Sequence, residues 1–355
     1  MGMGKVKQLF ASSEVAMAML LVQIFTTGLQ ILSRVILSQG TFIFALMTYR
    51  NVVAAICVAP FAFCFEREIT KKLSWSVWFW LFLSALTGIS MALGLFYYGL
   101  RDTNATYAIS FLNLIPMVTF VFSIITGIEK LGLNTKAGKM KILGATFSVA
   151  GALIACLYEG KALHIGHQGL HHSVALKTSM AHWVQGTFML VGCCLSYSVW
   201  FVVHAKLLKI FPSKYWAIML ACIIASMQSA VIGLCLNRQK AAWSLGWNLQ
   251  LITIFYSGAL ATAATFCLIS WAIAIRGPVY APMFNPLSLI FVSILEALIL
   301  GEAIRLGMLL GTILIIVGLY SFLWGKRKEM KSLLQAKNDA GSVVIPTSAD
   351  ESAVV

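Results

Sequence analysis

An arginine stands nine residues into an otherwise oily stretch, residues 41–64, with Thr48, Tyr49 and Asn51 around it. A charge that deep in a membrane-length segment costs at least about 2.5–3.5 kcal/mol on insertion scales, so Arg50 should face a cavity or a counter-charge. Two roles suit it. Its planar fork matches a solute carboxylate, and it also matches a structural tie to backbone carbonyls or to Glu296, the acid that falls inside an apolar stretch. Scarce buried acids speak against an elaborate proton relay and for passive, gradient-driven movement, with Glu296 as the group through which proton coupling would run.

Backbone chemistry points the same way. The segment "RGPVYAPMFNPLSLIFVSILEALILGE" carries Pro278, Pro282 and Pro286 four residues apart, with Asn285 beside the last. Proline at a helix start costs little, but Pro282 and Pro286 deprive the carbonyls of Pro278 and Pro282 of their donors. In hydrocarbon such groups are tolerated only against protein or a water-filled cavity. A continuous helix would put Pro286 about 12 Å past Pro278, near the midplane of a core about 30 Å thick. A second segment, residues 104–126, offers a counterpart: Thr106, Ser110 and Asn113 share one helical face, and Pro116 frees the carbonyl of Leu112. Cavity lining and plain proline kinks tied to neighbouring helices are the two readings of these residues. Intramembrane polar groups favour the first.

The elements that must position these groups follow from composition. Of 355 residues, 60% are hydrophobic and 11% charged, with a mean hydropathy of +0.88. That excludes an ordinary soluble domain and specifies a polytopic helical membrane protein. Ten spans are expected, at 15–33, 41–64, 76–98, 104–126, 142–158, 184–205, 215–236, 250–273, 279–300 and 306–324. With the N-terminus inside, inner segments hold 18 of the 26 basic residues, outer segments 7, and Arg50 is the last. The positive-inside rule then places both termini in the cytosol. The net charge of +14 is thereby a topology signal and not a nucleic-acid surface. The first apolar run follows Lys5 and Lys7 and lacks a small-x-small cleavage pattern, so it reads as a retained span.

The expected organisation is a cytosolic N-terminus (1–14), a first five-helix repeat (15–158), an outer or lumenal loop (159–183), a second five-helix repeat (184–324) and a disordered cytosolic tail (325–355). The repeat is visible in sequence. Setting Glu129 over Glu302 puts Tyr107 over Tyr280, Ala108 over Ala281 and Phe111 over Phe284. Farther on, Gly144 and Gly151 match Gly311 and Gly318. Five is odd, so the second copy enters from the opposite side. Inverted repeats with broken helices are a transporter architecture, with the solute site between the copies near mid-membrane.

Other chemistries are weakly represented. Eight cysteines scatter through the apolar spans as small hydrophobes. His164, His167, His171 and His172 cluster in the long outer loop and read as solvated polar residues. Tyr97, Tyr98, Trp200, Tyr256 and Trp271 suit stacking or gating, although interfacial belts account for most such residues. There is no P-loop and no nucleophile–base grouping or H-E-x-x-H, so neither an ATP-driven pump nor an enzyme is expected, nor any cofactor or metal.

The stretches "FYYGLRDTNATYAISFLNLIPMVTFVFSIITGIEKLGL", "RGPVYAPMFNPLSLIFVSILEALILGE" and "GLYSFLWGKRKE" resemble the plant UMAMIT transporters. These are related to the walls-are-thin and nodulin-like proteins, in the EamA branch of the drug/metabolite transporter superfamily. The resemblance covers roughly residues 10–330. It implies an all-α protein of ten helices in two inverted repeats, moving amino acids in both directions or, in some members, auxin and other metabolites. It also implies a plasma-membrane or vacuolar location, the plasma membrane preferred. Arg50, Pro116 and Pro286 match the family's helix-2 arginine and its helix-4 and helix-9 prolines. Glu129 and Glu302 match helix-end acids, while Glu296 and Asn285 depart from the family pattern.

The resulting expectation is an alternating-access facilitator of amino acids or similar small carboxylates. Arg50, Tyr49, Thr106, Ser110, Asn113, Asn285 and Glu296 would line the cavity, and Pro116, Pro282 and Pro286 would serve as hinges. Its partners would be the solute and membrane lipid. A transporter of auxin or another metabolite, and a non-transporting scaffold or receptor, are the alternatives.

Overall fold

The computed structural model describes residues 3–38, 40–66, 74–103, 108, 111–128, 135–158, 162–163, 180–244, 249–300 and 304–342. Eight helices in it are long and apolar enough to span a bilayer, and two shorter apolar ones complete the expected ten. The first five are α1 (Met3–Ser38), α2 (Ile43–Phe65), α3 (Trp75–Asp102), α4 (Ile115–Ile125) and α5 (Lys136–Leu157). The second five are α6 (Met180–Ile210), α7 (Lys214–Leu236), α8 (Leu249–Arg276), α9 (Asn285–Leu300) and α10 (Leu306–Ser342). The chain also forms a two-residue antiparallel ladder, pairing Ala162 with Arg305 and Leu163 with Ile304.

The polarity pattern is that of a protein solvated by lipid. Large apolar side chains such as Phe79, Phe188, Met227 and Tyr320 stand exposed on the outer helix faces, while Ser, Thr, Asn and Arg side chains are buried inside. With lipid tails as apolar as leucine, the inward faces are held by close packing and hydrogen bonds.

The two short helices are the broken ones. The chain leaves α8 through Gly277 at φ 87°, a left-handed conformation suited to glycine. It turns through residues 278–281 and makes one 3-10 turn, Pro282–Phe284, before α9 begins at Asn285. The helical-rise estimate between Pro278 and Pro286 therefore does not hold, because no continuous α-helix joins them. In the first repeat the chain turns at Asn113 and Leu114, and α4 starts at Ile115 with Pro116 in its first turn, where no N–H is needed.

α3 and α8 carry a second shared irregularity. Each contains a π-helical segment, Leu86–Met91 and Ala259–Ala264. The two are 173 residues apart (86 to 259), the separation that sets Glu129 over Glu302.

The equivalent glycines meet in space. A Cβ on Gly144 would lie 2.6 Å from the Gly318 carbonyl, and one on Gly151 would lie 2.8 Å from the Gly311 carbonyl. Since Gly144 corresponds to Gly311 and Gly151 to Gly318, exchanging the copies maps one contact onto the other. That is what an inverted pair of α5 and α10 crossing on a pseudo-two-fold axis must do.

The expected disordered tail needs correction: α10 runs to Ser342, well past residue 325. α1 begins at Met3, so the segment expected as the N-terminus, residues 1–14, is largely helical. The residues "KRKEMKSLLQAK" are strong helix formers. Glu329 accepts a 2.9 Å bond from Lys141 of α5 and lies 4.0 Å from Lys326 one turn back. Polarity without hydrophobic periodicity signals the end of the membrane core, not the end of the helix.

Candidate solute cavity

A cavity of about 200 Å³ lies between the two sets of helices. α1 contributes Val22, Gln23, Thr26, Leu29, Gln30, Ile31 and Ser33, and α2 contributes Arg50. α3 adds Leu93, Phe96, Tyr97 and Leu100, and the α4 break adds Leu112 and Ile115. The second repeat supplies Tyr197, Trp200 and Phe201 from α6, Ala261, Thr265, Phe266 and Ile269 from α8, and Asn285, Ser288 and Val292 from α9. The walls are mainly aromatic and aliphatic with a few convergent polar groups, the usual composition of a small-molecule site.

Arg50 is the cation of this cavity. It is 2% exposed, and its Nη2 donates to Thr262 Oγ1 at 3.0 Å. The hydroxyl of Thr262 spends its own proton on the Ser257 carbonyl five residues back, at 2.7 Å, leaving its oxygen free to accept. The π-helical register of α8 makes that bond possible, and such segments recur at functional sites. Nε and Nη1 of Arg50 are buried with no hydrogen-bond partner among the described residues. Unpaired buried guanidinium donors are costly, and a cavity beside them is where a partner can be supplied.

Asn285 lines the cavity at the first residue of α9, presented there by the break. Asn113 is 1% exposed, and its Nδ2 has no partner among the described residues. It stands at the α4 break between the lining residues Leu112 and Ile115 without lining the cavity itself. Tyr49 does not line it either. One residue along a helix is about 100° of rotation, which turns Tyr49 from Arg50 towards a single helical turn, Lys240–Trp243. There its hydroxyl donates to the Trp243 carbonyl at 2.8 Å. Thr106, Ser110 and the outer-loop histidines lie outside the described residues, as does the side chain of Glu296 within α9.

Pro116, Pro282 and Pro286 are buried at the two breaks. Of the aromatic candidates, Tyr97 and Trp200 line the cavity. Tyr256 instead donates to the Phe25 carbonyl at 3.2 Å, and Trp271 packs on the central core. Among the described residues no His, Cys, Asp and Glu group suits a metal, and the described cysteines are free thiols.

The polar face of α1 is the part the sequence reading missed. Gln23, Thr26 and Gln30 fall at i, i+3 and i+7, one stripe of a helix, and all three line the cavity. The Oε1 of Gln30 is buried without a partner among the described residues. A polar stripe in an apolar span was the available signal.

Residues 14–157 and 184–324 match the EamA-like transporter family. A WAT1-related protein of Arabidopsis thaliana is 34% identical over 338 residues, covering 90% of this chain and 93% of the relative. The Arabidopsis protein WALLS ARE THIN 1 is 32% identical over 324 residues, covering 88% of this chain and 83% of the relative. A solved crystal structure only 15% identical superposes with a TM-score of 0.64 over 89% of this chain and 98% of the other, which bears on fold alone. Family membership also sets aside the scaffold and enzyme readings. The chain belongs to the EamA-like transporter family, among its WAT1-related plant members, and is a multi-pass membrane transporter of small molecules.

Proposed function

We propose that this transporter is a passive, bidirectional, alternating-access facilitator of amino acids or similar small carboxylates, with Arg50 gripping the carboxylate. The observation that carries this is the buried guanidinium at the cavity wall, with two donors lacking any partner among the described residues. A carboxylate can take Nε or Nη1 together with the second N–H of Nη2, the bidentate pairing of one guanidinium edge. The free Gln30 Oε1 gives the same cavity an acceptor for an ammonium group, so a zwitterion meets both its needs. At about 200 Å³ the space falls below the 300–1,000 Å³ usual for drug-sized ligands, which suits a solute of amino-acid size. Asn285 would orient the solute and the breaks at Pro116, Pro282 and Pro286 would act as hinges. Thr106, Ser110, Asn113 and Glu296 would join the site as the helices move.

In this reading residues 15–158 and 184–324 are the two moving repeats, joined by the 159–183 loop. Both termini face the cytosol, as the 18-to-7 bias of basic residues favours, and the plasma membrane is preferred over the vacuolar membrane. A second reading, an indole acid such as auxin, draws on the aromatic walls and on a described lining that holds no Asp or Glu.

The test is uptake and efflux of labelled solutes in proteoliposomes, with and without an imposed pH gradient. Amino-acid flux that Arg50→Gln abolishes while folded protein is retained supports the first reading. Competition by indole acids with no amino-acid flux supports the second. Unchanged flux in Arg50→Gln removes the carboxylate grip from both.

A further inference from the structure

The cavity ends on one side at Trp200, and the packing beneath that ring is unlike the rest of the wall. α3 and α6 run antiparallel: Gly99 packs on Leu190, Gly88 on Trp200, and Ser84 meets His204. α8 runs parallel to α6, with Phe266 beside Trp200 and Ser270 beside His204. The cavity residues of α3 run from Leu93 to Leu100, and those of α6 and α8 stop at Phe201 and Ile269. Ser84, His204 and Ser270 therefore form the next layer, away from the end at which α1 and α3 finish.

That layer is polar and dry. His204 is 3% exposed, and Ser84 and Ser270 are buried with it. The imidazole Nε2 lies 2.7 Å from Ser270 Oγ and Nδ1 lies 3.4 Å from Ser84 Oγ, so one ring ties α3, α6 and α8 together. The same ring stacks under Trp200, with centroids 5.3 Å apart and planes 28° apart. The indole also fills the space left by Gly88, where a Cβ would overlap the indole ring.

We propose that Trp200 is the floor of the solute cavity and that His204, bonded to Ser84 and Ser270, is the positioning residue that holds the floor shut. This rests on the alternating-access reading: solute leaves towards the far end only when α3 and α8 part from α6. The latch is what parts. Two neutral hydrogen bonds and a ring stack in a low-dielectric layer are strong enough to hold one end closed and weak enough to be exchanged for water. Tyr97, the counterpart of Ser270 at the 173-residue separation, lies 3.4 Å from Ser33 at the end where α1 and α3 finish. A contact of the matching kind is thus available when the opposite end closes.

Backbone hydrogen–deuterium exchange on the full chain in lipid nanodiscs, paired with transport in proteoliposomes, tests this. In His204→Phe the stack is kept and both bonds are lost. Exchange around residues 202–210 and 268–276 should rise about fivefold or more, the effect of losing one ordinary hydrogen bond, with residues 20–33 unchanged. Transport should change in maximal rate and not in KM. His204→Gln, which keeps a donor and an acceptor, should restore part of the protection, and Ser270→Ala should reproduce part of the loss. Gly88→Ala should do the opposite in kinetics, raising KM for bulky solutes by pushing the indole into the cavity.

Unchanged exchange in both His204→Phe and Ser270→Ala overturns the proposal, as does exchange that rises equally at both ends. If His204→Phe does not fold, Ser270→Ala decides. Failure of the carboxylate reading shows separately, as normal transport in Arg50→Gln, a variant that leaves exchange at the latch untouched.

Discussion

The seam between α5 and α10 and the walls of the cavity are built from the same duplicated material and are used in opposite ways. At the seam equivalent glycines meet across the pseudo-two-fold axis, backbone against backbone. Around the cavity equivalence is broken. The π segment of α8 presents Thr262 to Arg50, whereas its counterpart in α3 presents bare Gly88 to the Trp200 ring. The seam satisfies its groups internally, and the cavity leaves Arg50 Nε and Nη1 and Gln30 Oε1 without partners among the described residues. Symmetry persists where backbone meets backbone and is lost around the cavity, as recognition of an asymmetric solute would require.

The contrast is most sharply broken at Gly144. A leucine there has nowhere to go, since even a Cβ lies 2.6 Å from the Gly318 carbonyl and closer still to the backbone N of Phe322. Over-packing a core costs about 1–3 kcal/mol when side chains yield, and here the obstacle is backbone. Gly144→Leu should abolish folded yield in size-exclusion chromatography, or lower the detergent-solubilised Tm by 10 °C or more if protein survives. A Tm within a few degrees of wild type would show that the seam can open.

Arg50→Gln should give the reverse pattern. Truncating one partner of a buried, hydrogen-bonded charge pair costs about 2–5 kcal/mol of binding, so solute affinity should fall at least about 30-fold in a binding or flux assay. Thermal stability should hold or rise, because a buried charge with unused donors is removed and only the Thr262 bond is lost. If instead Tm falls sharply, Arg50 is the structural tie and not the ligand grip.

These two residues also show what could be read from sequence. Arg50 and Asn285 stood out because a charge or an amide in an apolar span needs a reason, and Pro116 and Pro286 because missing N–H groups break helices. Gln23 and Gln30 are less conspicuous: each is a single polar residue among leucines and isoleucines, and only their shared face joins them to the site. Tyr49 was wrongly drawn in by its neighbour, since adjacency in sequence is not adjacency on a helix. The π segments leave no trace in composition, because one extra residue in a turn alters register without altering hydrophobicity. His204 was passed over because its two serine partners lie 120 and 66 residues away.

Asn285→Ala should produce a smaller effect of the same sign as Arg50→Gln. The amide lines the cavity beside Ser288, and losing one neutral hydrogen bond to solute is worth about 1 kcal/mol, a roughly fivefold rise in KM. Stability should stay within about 0.5 kcal/mol, because the substitution to alanine removes no core packing and alanine favours the helix. A KM unchanged within twofold would take Asn285 out of the recognition set and leave the second repeat contributing shape alone.

Lys141→Met is the mildest of the series and bears on the seam. Lys141 is 2% exposed on α5 and donates to Glu329 of α10 at 2.9 Å, while Glu329 is 28% exposed and also lies 4.0 Å from Lys326. An ion pair across two helices looks like the fastener of that seam. Yet burying an ammonium carries a desolvation cost that the attraction to a partly hydrated carboxylate largely cancels, and methionine of similar length fills the same channel. Glu329 keeps solvent and Lys326 after the change. The net shift in unfolding free energy should therefore stay within about 1 kcal/mol, read as a Tm change of a few degrees. Set beside the loss expected for Gly144→Leu, that near-neutrality would assign the rigidity of the seam to the closeness of its backbones and not to its charges. A Tm drop as large as the glycine variant's would reverse the assignment, making the α10 extension past residue 325 a structural anchor of the fold.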